Sequence, residues 1–530
     1  MNNGSHTRHR ANSGGTMVVE TDGMSSGVET KRRFRLSTPT IVGGGLWALS
    51  AKLVSQVAQL SAFIAAARIL TPQEFGFFAF SSAVATFLVV FAEGGWAEFV
   101  MKSADGEGHL DQVTTISLVS GLLFTALGLG AAGILYEAFD KILEASLLAL
   151  FSCLILPCAM TTVYDGALVH RGQLQSQAII RITAEAAGLA LIVFGLFMGW
   201  NVFALIAGRL AMQLVLLCGS IMAVGWVRPV GPTRMLTREL LGFSQHVVAN
   251  RLIVFLRSYS GTLAVGGFLG LAEAGYYRAA ERIVAALYEL VGEPARMLAW
   301  IVLRRARDRE NSEVGKDDAV RKAGNMLFPL LLAVATPVLL GLALVADDFV
   351  DLVLGEVWAP AATVVSILSI KQLLMVSGCM TEPLLSIQGN IRRMAPVGLA
   401  NSLVIIGLVV ALAPFGLLPL AYGQVLAGIV VLATLIWLQG RYGGLDWYGI
   451  ARGSGFVPLA VAGMTCTMFA LGLAIDLSTL QTWATLVLQA AAGATGYLLV
   501  LLLVRRFATG MFPVLVVVAP LTPTHDIAGR

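Results

Sequence analysis

Long apolar runs, each closed by a short polar break, follow one another from residue 40 almost to the end of the chain. A helix needs roughly 20 apolar residues to cross the hydrocarbon of a bilayer. Fourteen runs reach that length: about 42–68, 76–101, 112–135, 145–165, 176–198, 201–224, 244–269, 278–300, 323–346, 358–380, 395–414, 417–438, 454–475 and 482–504. The two that flank Pro414–Pro419 share a very short turn. The pattern predicts an all-α polytopic membrane protein of about 14 transmembrane helices. Residues 1–39 precede the first run; they are polar and carry Lys31, Arg32, Arg33 and Arg35. No apolar h-region with a cleavage site is present, so they read as a disordered basic cytoplasmic tail. Residues 505–530 form a second cytoplasmic tail. Its VLVVVA stretch is too short to span and suits the interface.

The pattern repeats. The stretch AARILTPQEFGFFA (66–79) ends one run and starts the next, and VGGFLGLAEAGYYRA (265–279) does the same. Setting Leu70 on Leu269, an offset of 199, puts Glu74 on Glu273, Gly76 on Gly275 and Phe77-Phe78 on Tyr276-Tyr277. A second register, offset 217, sets Gly172 on Gly389, Ala178 on Ala395, Gly199 on Gly416 and Ala204 on Ala421. Two six-helix bundles related by an internal repeat follow, 40–224 and 244–438, joined by a cytoplasmic linker, 225–243. Two additional helices lie within 439–504. A duplicated helical unit with a space between its halves is what a transporter needs.

Composition agrees with a bilayer. The 530 residues are 57% hydrophobic and 13% charged, where a soluble domain carries about 25% charged residues. Arginine and lysine fall in alternate loops: Arg171; Arg228, Arg234 and Arg238; Arg304, Arg305, Arg307 and Arg309; Arg392 and Arg393; Arg441 and Arg452; Arg505 and Arg506. The other loops hold Lys141 and almost nothing else basic. The positive-inside rule then places both termini in the cytoplasm. The five cysteines all lie in apolar runs, which predicts buried, reduced thiols. Cysteine and histidine show no metal-ligand spacing, and no Walker loop, G-x-S-x-G or H-E-x-x-H occurs, so no cofactor is expected.

Charges inside the runs carry the candidate chemistry. Each costs about 2.5–3.5 kcal/mol at mid-bilayer on insertion scales, so it should face an interior. Helical spacing aligns Lys52, Gln56 and Gln59 in the first run, and Ser82, Thr86 and Glu93 in the second. It aligns Gln177, Arg181 and Glu185 in the fifth, and His246, Asn250 and Arg257 in the seventh. In the eighth, Arg278, Arg282, Glu289, Glu293 and Arg296 form one stripe. Arg209 sits in the sixth and Lys371 in the tenth. One reading is structural pairing, as of Arg181 with Glu185 or Arg282 with Glu289. The other is a cationic, water-filled cavity for an anion: Lys52, Gln56, Gln59, Arg181, Arg209, Asn250, Arg257, Arg278, Arg282 and Lys371 as substrate-binding residues. Arginine suits a diphosphate because its planar fork donates in pairs. Glu93 and Glu289 are the candidates for coupling to H⁺ or Na⁺.

These features resemble the polysaccharide transporter (Wzx-type flippase) branch of the multidrug/oligosaccharidyl-lipid/polysaccharide exporter superfamily over roughly residues 40–505. The marks are ARILTPQEFGFFAF, FLGLAEAGYYRAAERI, LGEVWAPAATVVSIL and ALVHRGQLQSQAIIR followed by GWNVFALIAGRL. The resemblance implies two six-helix lobes in a V with alternating access. It implies flipping of a polyprenyl-diphosphate-linked oligosaccharide across the bacterial inner membrane, with polysaccharide polymerase and export machinery as further partners. Lipid II flippases of the same superfamily are similar, with basic residues in the first, second and eighth helices. Here Lys52 and Arg68 lie in the first and Arg278 and Arg282 in the eighth, but the second has Glu93 where they have a cation.

Alternatives remain. A drug or metabolite antiporter of the same fold would want an acidic cavity, against the basic stripe. A membrane enzyme of polysaccharide synthesis usually needs a sizeable outer loop, and here those loops are only about ten residues long. An assembly subunit would leave the cationic interior without a purpose. Nothing in the pattern suits nucleic acid.

Overall fold

The computed structural model describes residues 38–102, 108–140, 142–312, 318–475 and 481–507. The chain divides into two compact units, 1–43 and 44–530. Of the first, only the opening residues of one helix are described. Both tails expected from the sequence, with the VLVVVA stretch, lie almost wholly outside the described residues.

The first half comprises α1 (Thr38–Ile69), α2 (Pro72–Glu93), α3 (Trp96–Lys102), α4 (Leu110–Phe139), α5 (Ile142–Ser152), α6 (Ile155–His170), α7 (Leu174–Phe197) and α8 (Val202–Val224). The second comprises α9 (Arg234–Phe268), α10 (Leu271–Ser312), α11 (Ala319–Leu344), α12 (Ala346–Val353), α13 (Ala359–Met375), α14 (Thr381–Ile387), α15 (Met394–Leu412) and α16 (Leu417–Gly443). Then come α17 (Trp447–Gly453), α18 (Phe456–Ala474) and α19 (Thr482–Phe507). Among the described residues there is no strand. A helical segment stands at each predicted run, and eleven are long and apolar enough to cross a membrane. The long helices outside that set are α1, α9 and α10, which carry most of the candidate charges.

Local chemistry fixes the turns. In TPQE, Thr71 caps α2: its Oγ1 accepts from Glu74 N, Glu74 Oε2 accepts from Thr71 N, and Pro72 fills the first turn. Two helices run past the ends of their apolar runs. The linker 225–243 is helical from Arg234, because Thr233 Oγ1 caps α9 by accepting from Leu236 N. The loop expected after residue 300 is instead the continuation of α10 to Ser312. Its Arg- and Glu-rich sequence is a good helix former in water, and 42 residues extend about 63 Å, twice the hydrocarbon thickness. The five cysteines are free, but none is buried; Cys153, Cys218 and Cys466 are exposed. A thiol is apolar enough to face lipid, so apolar context does not imply burial in a membrane protein.

The repeat appears in the contacts. A Cβ on Gly76 would lie 1.7 Å from the Leu271 carbonyl oxygen, and one on Gly275 would lie 2.0 Å from that of Pro72. Offset 199 overlays Pro72 on Leu271 as well, so the contact is reciprocal, as a two-fold axis between the halves requires. Around it pack Phe63, Phe75, Tyr277 and Trp358. Trp358 Nε1 donates to Ala67 O at 2.8 Å, and Arg68 donates to the carbonyls of Leu352 and Val353. Gly172 and Gly389, paired at offset 217, have φ of 71° and 73° and close the same helix end. Gln173 N bonds Leu168 O in one half and Asn390 N bonds Leu385 O in the other.

A further equivalence escaped the sequence reading. Gln213 Nε2 donates to Thr161 Oγ1 (2.9 Å) and Pro157 O (3.3 Å), and Gln439 Nε2 donates to Thr381 Oγ1 (2.6 Å) and Ser377 O (3.1 Å). Each glutamine ties the sixth span of its half to the fourth. Gln439→Leu is expected to lower thermal stability by about 1 kcal/mol, since interhelical bonds in membranes are worth about 0.6–2 kcal/mol each. Unfolding in detergent measures it, and no change would deny the tie its role.

Candidate functional site

The charged stripe of α10 faces two cavities, one in each half. The first, about 180 Å³, lies among α1, α2, α7 and α8 and is lined by Gln59, Ser82, Glu185 and Arg209. The second, about 630 Å³, lies among α9, α13, α15 and α16 and is lined by Arg257, Lys371, Gln372, Glu382 and Asn401. Arg278 and Arg282 line both, so they stand on the wall the cavities share. Helical spacing explains why: four residues apart on α10, the two arginines point the same way.

Their environments differ. Arg278 Nη1 bonds Glu281 Oε2 at 2.7 Å, and its guanidinium lies 4.9 Å from the centre of the Tyr259 ring. Arg282 Nη2 reaches Gln59 Oε1 at 3.1 Å. Gln59 in turn donates to Glu185 Oε1 at 3.1 Å, and Ser55 Oγ donates to the same oxygen. Glu185 therefore takes its bonds from α1, while Arg181, one turn away on its own helix, is exposed and outside the cavities. Arg209 lies 5.9 Å from the Phe78 ring centre. Together the two linings carry six cations (Arg209, Arg257, Arg278, Arg282, Arg296, Lys371) against four carboxylates (Glu185, Glu281, Glu289, Glu382). Arg296 is also held at 2.7 Å by Glu293, which lies outside both linings, so the linings stay net positive by one charge after every carboxylate is matched. Such a site favours an anion.

Not every candidate residue reaches these cavities. Lys52 and Gln56 line a separate groove between α1 and α10, about 770 Å³, whose walls are mostly apolar: Leu53, Val57, Leu60, Ile64, Leu290 and Met297 among them. Lys52 is drawn there by Glu293, with Nζ 2.9 Å from Oε1. Asn250 is exposed and lines none of these cavities. It lies level with Arg251, about 10 Å along α9 from Arg257. Glu93 is not open to the cavity lumen; Arg251 Nη1 holds it at 2.6 Å. Glu289 lines both the second cavity and the groove, and its buried Oε2 has no hydrogen-bond partner among the described residues. Arg251 and Glu281 were missed by helical-face reasoning. For Arg251 a signal existed, since offset 199 overlays it on Lys52.

Two helical halves built around a crossing of paired glycines, with a cationic cavity in each half sharing the α10 wall and an apolar groove beside them, define a two-bundle transporter-type membrane fold. Comparison with solved structures agrees. The fold matches the lipid II flippase MurJ in an inward closed conformation, with TM-score 0.68, 14% identity, and coverage of 87% of this chain and 100% of that one. It also matches an inward-facing multidrug resistance MATE transporter of the MOP superfamily, with TM-score 0.56, 16% identity, and coverage of 75% and 98%. Residues 65–363 match the model of a family described as polysaccharide biosynthesis protein, and the chain belongs to that family. Similar curated proteins include the succinoglycan biosynthesis transport protein ExoT of Rhizobium meliloti (strain 1021), 25% identical over 58% of this chain and 61% of that protein. The teichuronic acid biosynthesis protein TuaB of Bacillus subtilis (strain 168) is 20% identical over 64% and 69%.

Proposed function

We propose that the protein flips polyprenyl-diphosphate-linked oligosaccharide repeat units across the bacterial inner membrane by alternating access, for export of exopolysaccharide, capsule or O-antigen. The observation that carries this reading is the net positive lining of the two cavities, with Arg278 and Arg282 on the wall they share. A diphosphate esterified at both ends keeps one ionised oxygen on each phosphorus, and the two arginines of the shared wall can take one each. Stripping water from such a group is prohibitive in hydrocarbon. Arg278 and Arg282 replace that water from the shared wall, with Arg257 and Lys371 beyond them. Glutamine, asparagine and serine side chains offer hydrogen bonds to sugar hydroxyls. The apolar groove between α1 and α10 lies beside the chambers and suits the polyprenyl chain, which can stay in the bilayer while the head crosses. The bundles 40–224 and 244–438 are the rocking bodies, both termini are cytoplasmic, and the glycine crossing is on the periplasmic side. Glu289 is the better placed of the two carboxylates for coupling to H⁺ or Na⁺, because Glu93 is engaged. A polysaccharide polymerase and export machinery would consume the product. A cation-selective drug antiporter would need the opposite lining charge.

The test is a leaflet assay. Purified protein is placed in liposomes with a fluorescent polyprenyl-diphosphate oligosaccharide, and accessibility to an external quencher or lectin is followed. Protein-dependent loss of protection is the expected result. If neutral-sugar and acidic-sugar substrates both stay in their leaflet, while a flippase of known substrate works alongside, the reading is wrong.

A further inference from the structure

Two ion pairs occupy equivalent places in the two halves. Lys52 Nζ on α1 lies 2.9 Å from Glu293 Oε1 on α10, and Glu293 Oε2 also takes Arg296 at 2.7 Å. Arg251 on α9 reaches Glu93 Oε2 at the end of α2 and Glu98 Oε1 in α3, both at 2.6 Å. The offset of 199 that overlays Gly76 on Gly275 overlays Lys52 on Arg251 and brings Glu93 within one residue of Glu293. Each pair ties the first helix of one half to the second span of the other. Each cation lies 17 residues from the end of its helix at the glycine crossing, or about 25 Å along the axis. Both pairs are therefore at the same depth, far from that crossing.

Each glutamate also sits where its helix is weak. Glu93 closes α2, and Gly94 and Gly95 follow with φ of 50° and 82°, in the left-handed region that glycine tolerates. Pro294 follows Glu293 inside α10 and has no N–H for the carbonyl one turn back. The same offset overlays Gly95 on Pro294. A break in one half thus answers a kink site in the other, each adjoining its ion pair.

We infer that these are two latches, related by the internal two-fold, that hold the halves together at the end remote from the glycine crossing. Gly94–Gly95 and Pro294 are the hinges about which the second spans swing when the latches part. The latches are unequal. Arg251 engages two carboxylates with a fixed fork and is 25% exposed; Lys52 shares one carboxylate with Arg296 and is 45% exposed. Against the first break, a Cβ on Gly95 would come within 2.8 Å of Val247, so α9 is packed close there. The Lys52 latch is the weaker and parts first, opening the α1–α10 seam ahead of the α2–α9 seam.

The test needs no substrate, so its failure is distinct from failure of the flippase reading. With the five native cysteines replaced by serine, Ser258→Cys places a reporter in the second cavity. In proteoliposomes its labelling by a membrane-impermeant maleimide, applied from the latch side, measures opening. Lys52→Gln is expected to raise the labelling rate about threefold and Arg251→Gln about tenfold, as the population shifts toward the open form. Lys52→Arg stays near the parent rate, and Arg251→Lys falls between the parent and Arg251→Gln, because an ammonium cannot reproduce the fork that holds both carboxylates. In a protein whose residue-258 reporter is an azide-bearing side chain read by a membrane-impermeant cyclooctyne, which the cross-linker cannot cap, joining Lys52→Cys to Glu293→Cys with a short bismaleimide lowers the rate below the uncross-linked control. Parent rates in both glutamine variants would overturn the latches, as would a cross-linked protein that labels as fast as its uncross-linked control. If Arg251→Gln does not fold, the cross-link comparison at Lys52 and Glu293 still decides.

Discussion

Gly76→Ala and Gly275→Ala each leave a protein about 3 kcal/mol less stable, at the upper end of what overpacking costs, and much of it fails to reach a folded state. Both added methyls meet a carbonyl oxygen of the opposite helix, at 1.7 and 2.0 Å, and not the end of a side chain. No rotamer change can relieve a clash with backbone, so the two helices must separate by more than an ångström. Separation loosens the cluster that closes this end: Phe75 against Phe63 and Trp358, and Tyr276 against Trp358. Close approach through small residues is a main source of helix association in membranes, where no hydrophobic force between helices replaces it. The control is Gly133→Ala, whose added Cβ has nothing within 4 Å. Thermal unfolding followed by size-exclusion profile reads the difference. If both crossing variants match the control, the reciprocal contact does not hold the halves.

The long apolar runs made the helices legible, because in a bilayer an apolar run of spanning length has little else to become. Helix ends outside hydrocarbon were not legible in this way. The extension of α10 to Ser312 is set by propensity and capping, which hydropathy does not weigh. The repeat was visible at Gly76 and Gly275 because glycine at a backbone contact has no substitute. The stripe on α10 was readable for the same kind of reason: a helix of fixed pitch puts Arg278, Arg282, Glu289, Glu293 and Arg296 on one side whatever surrounds it. What a single helix cannot show is its partner. Lys52 and Gln56 share an arc with Gln59, yet only Gln59 reaches the first cavity, since Glu293 on α10 draws Lys52 into the seam. Arg181 and Glu185 are spaced to pair, but α1 supplies Ser55 and Gln59 to the carboxylate instead. These outcomes depend on contacts across more than a hundred residues of chain, and periodicity does not encode them.

Arg282→Gln reduces flipping about a hundredfold, and Arg278→Gln reduces it less. The order follows from what each guanidinium already holds. Arg278 is bonded to Glu281 and stacked on Tyr259, so part of its charge is answered within the protein. Arg282 has a neutral amide oxygen of Gln59 as its hydrogen-bond partner, which leaves its charge for an incoming anion. A charge-assisted hydrogen bond is worth about 1.5–3 kcal/mol, and a hundredfold loss is about 2.7 kcal/mol. Arg282→Lys should recover only part of the rate, because an ammonium cannot make the paired donation of the planar fork to a diphosphate. Glu281→Gln should act in the opposite sense, freeing Arg278 and tightening binding of the diphosphate head. Arg181→Gln and Asn250→Ala lie outside the chambers and should flip at the parent rate. The leaflet assay measures all of these against protein amount and folding. Flipping that survives Arg282→Gln and Arg278→Gln together would place the translocation path elsewhere. Loss in Arg181→Gln equal to that in Arg282→Gln would mean that the two chambers do not select the substrate.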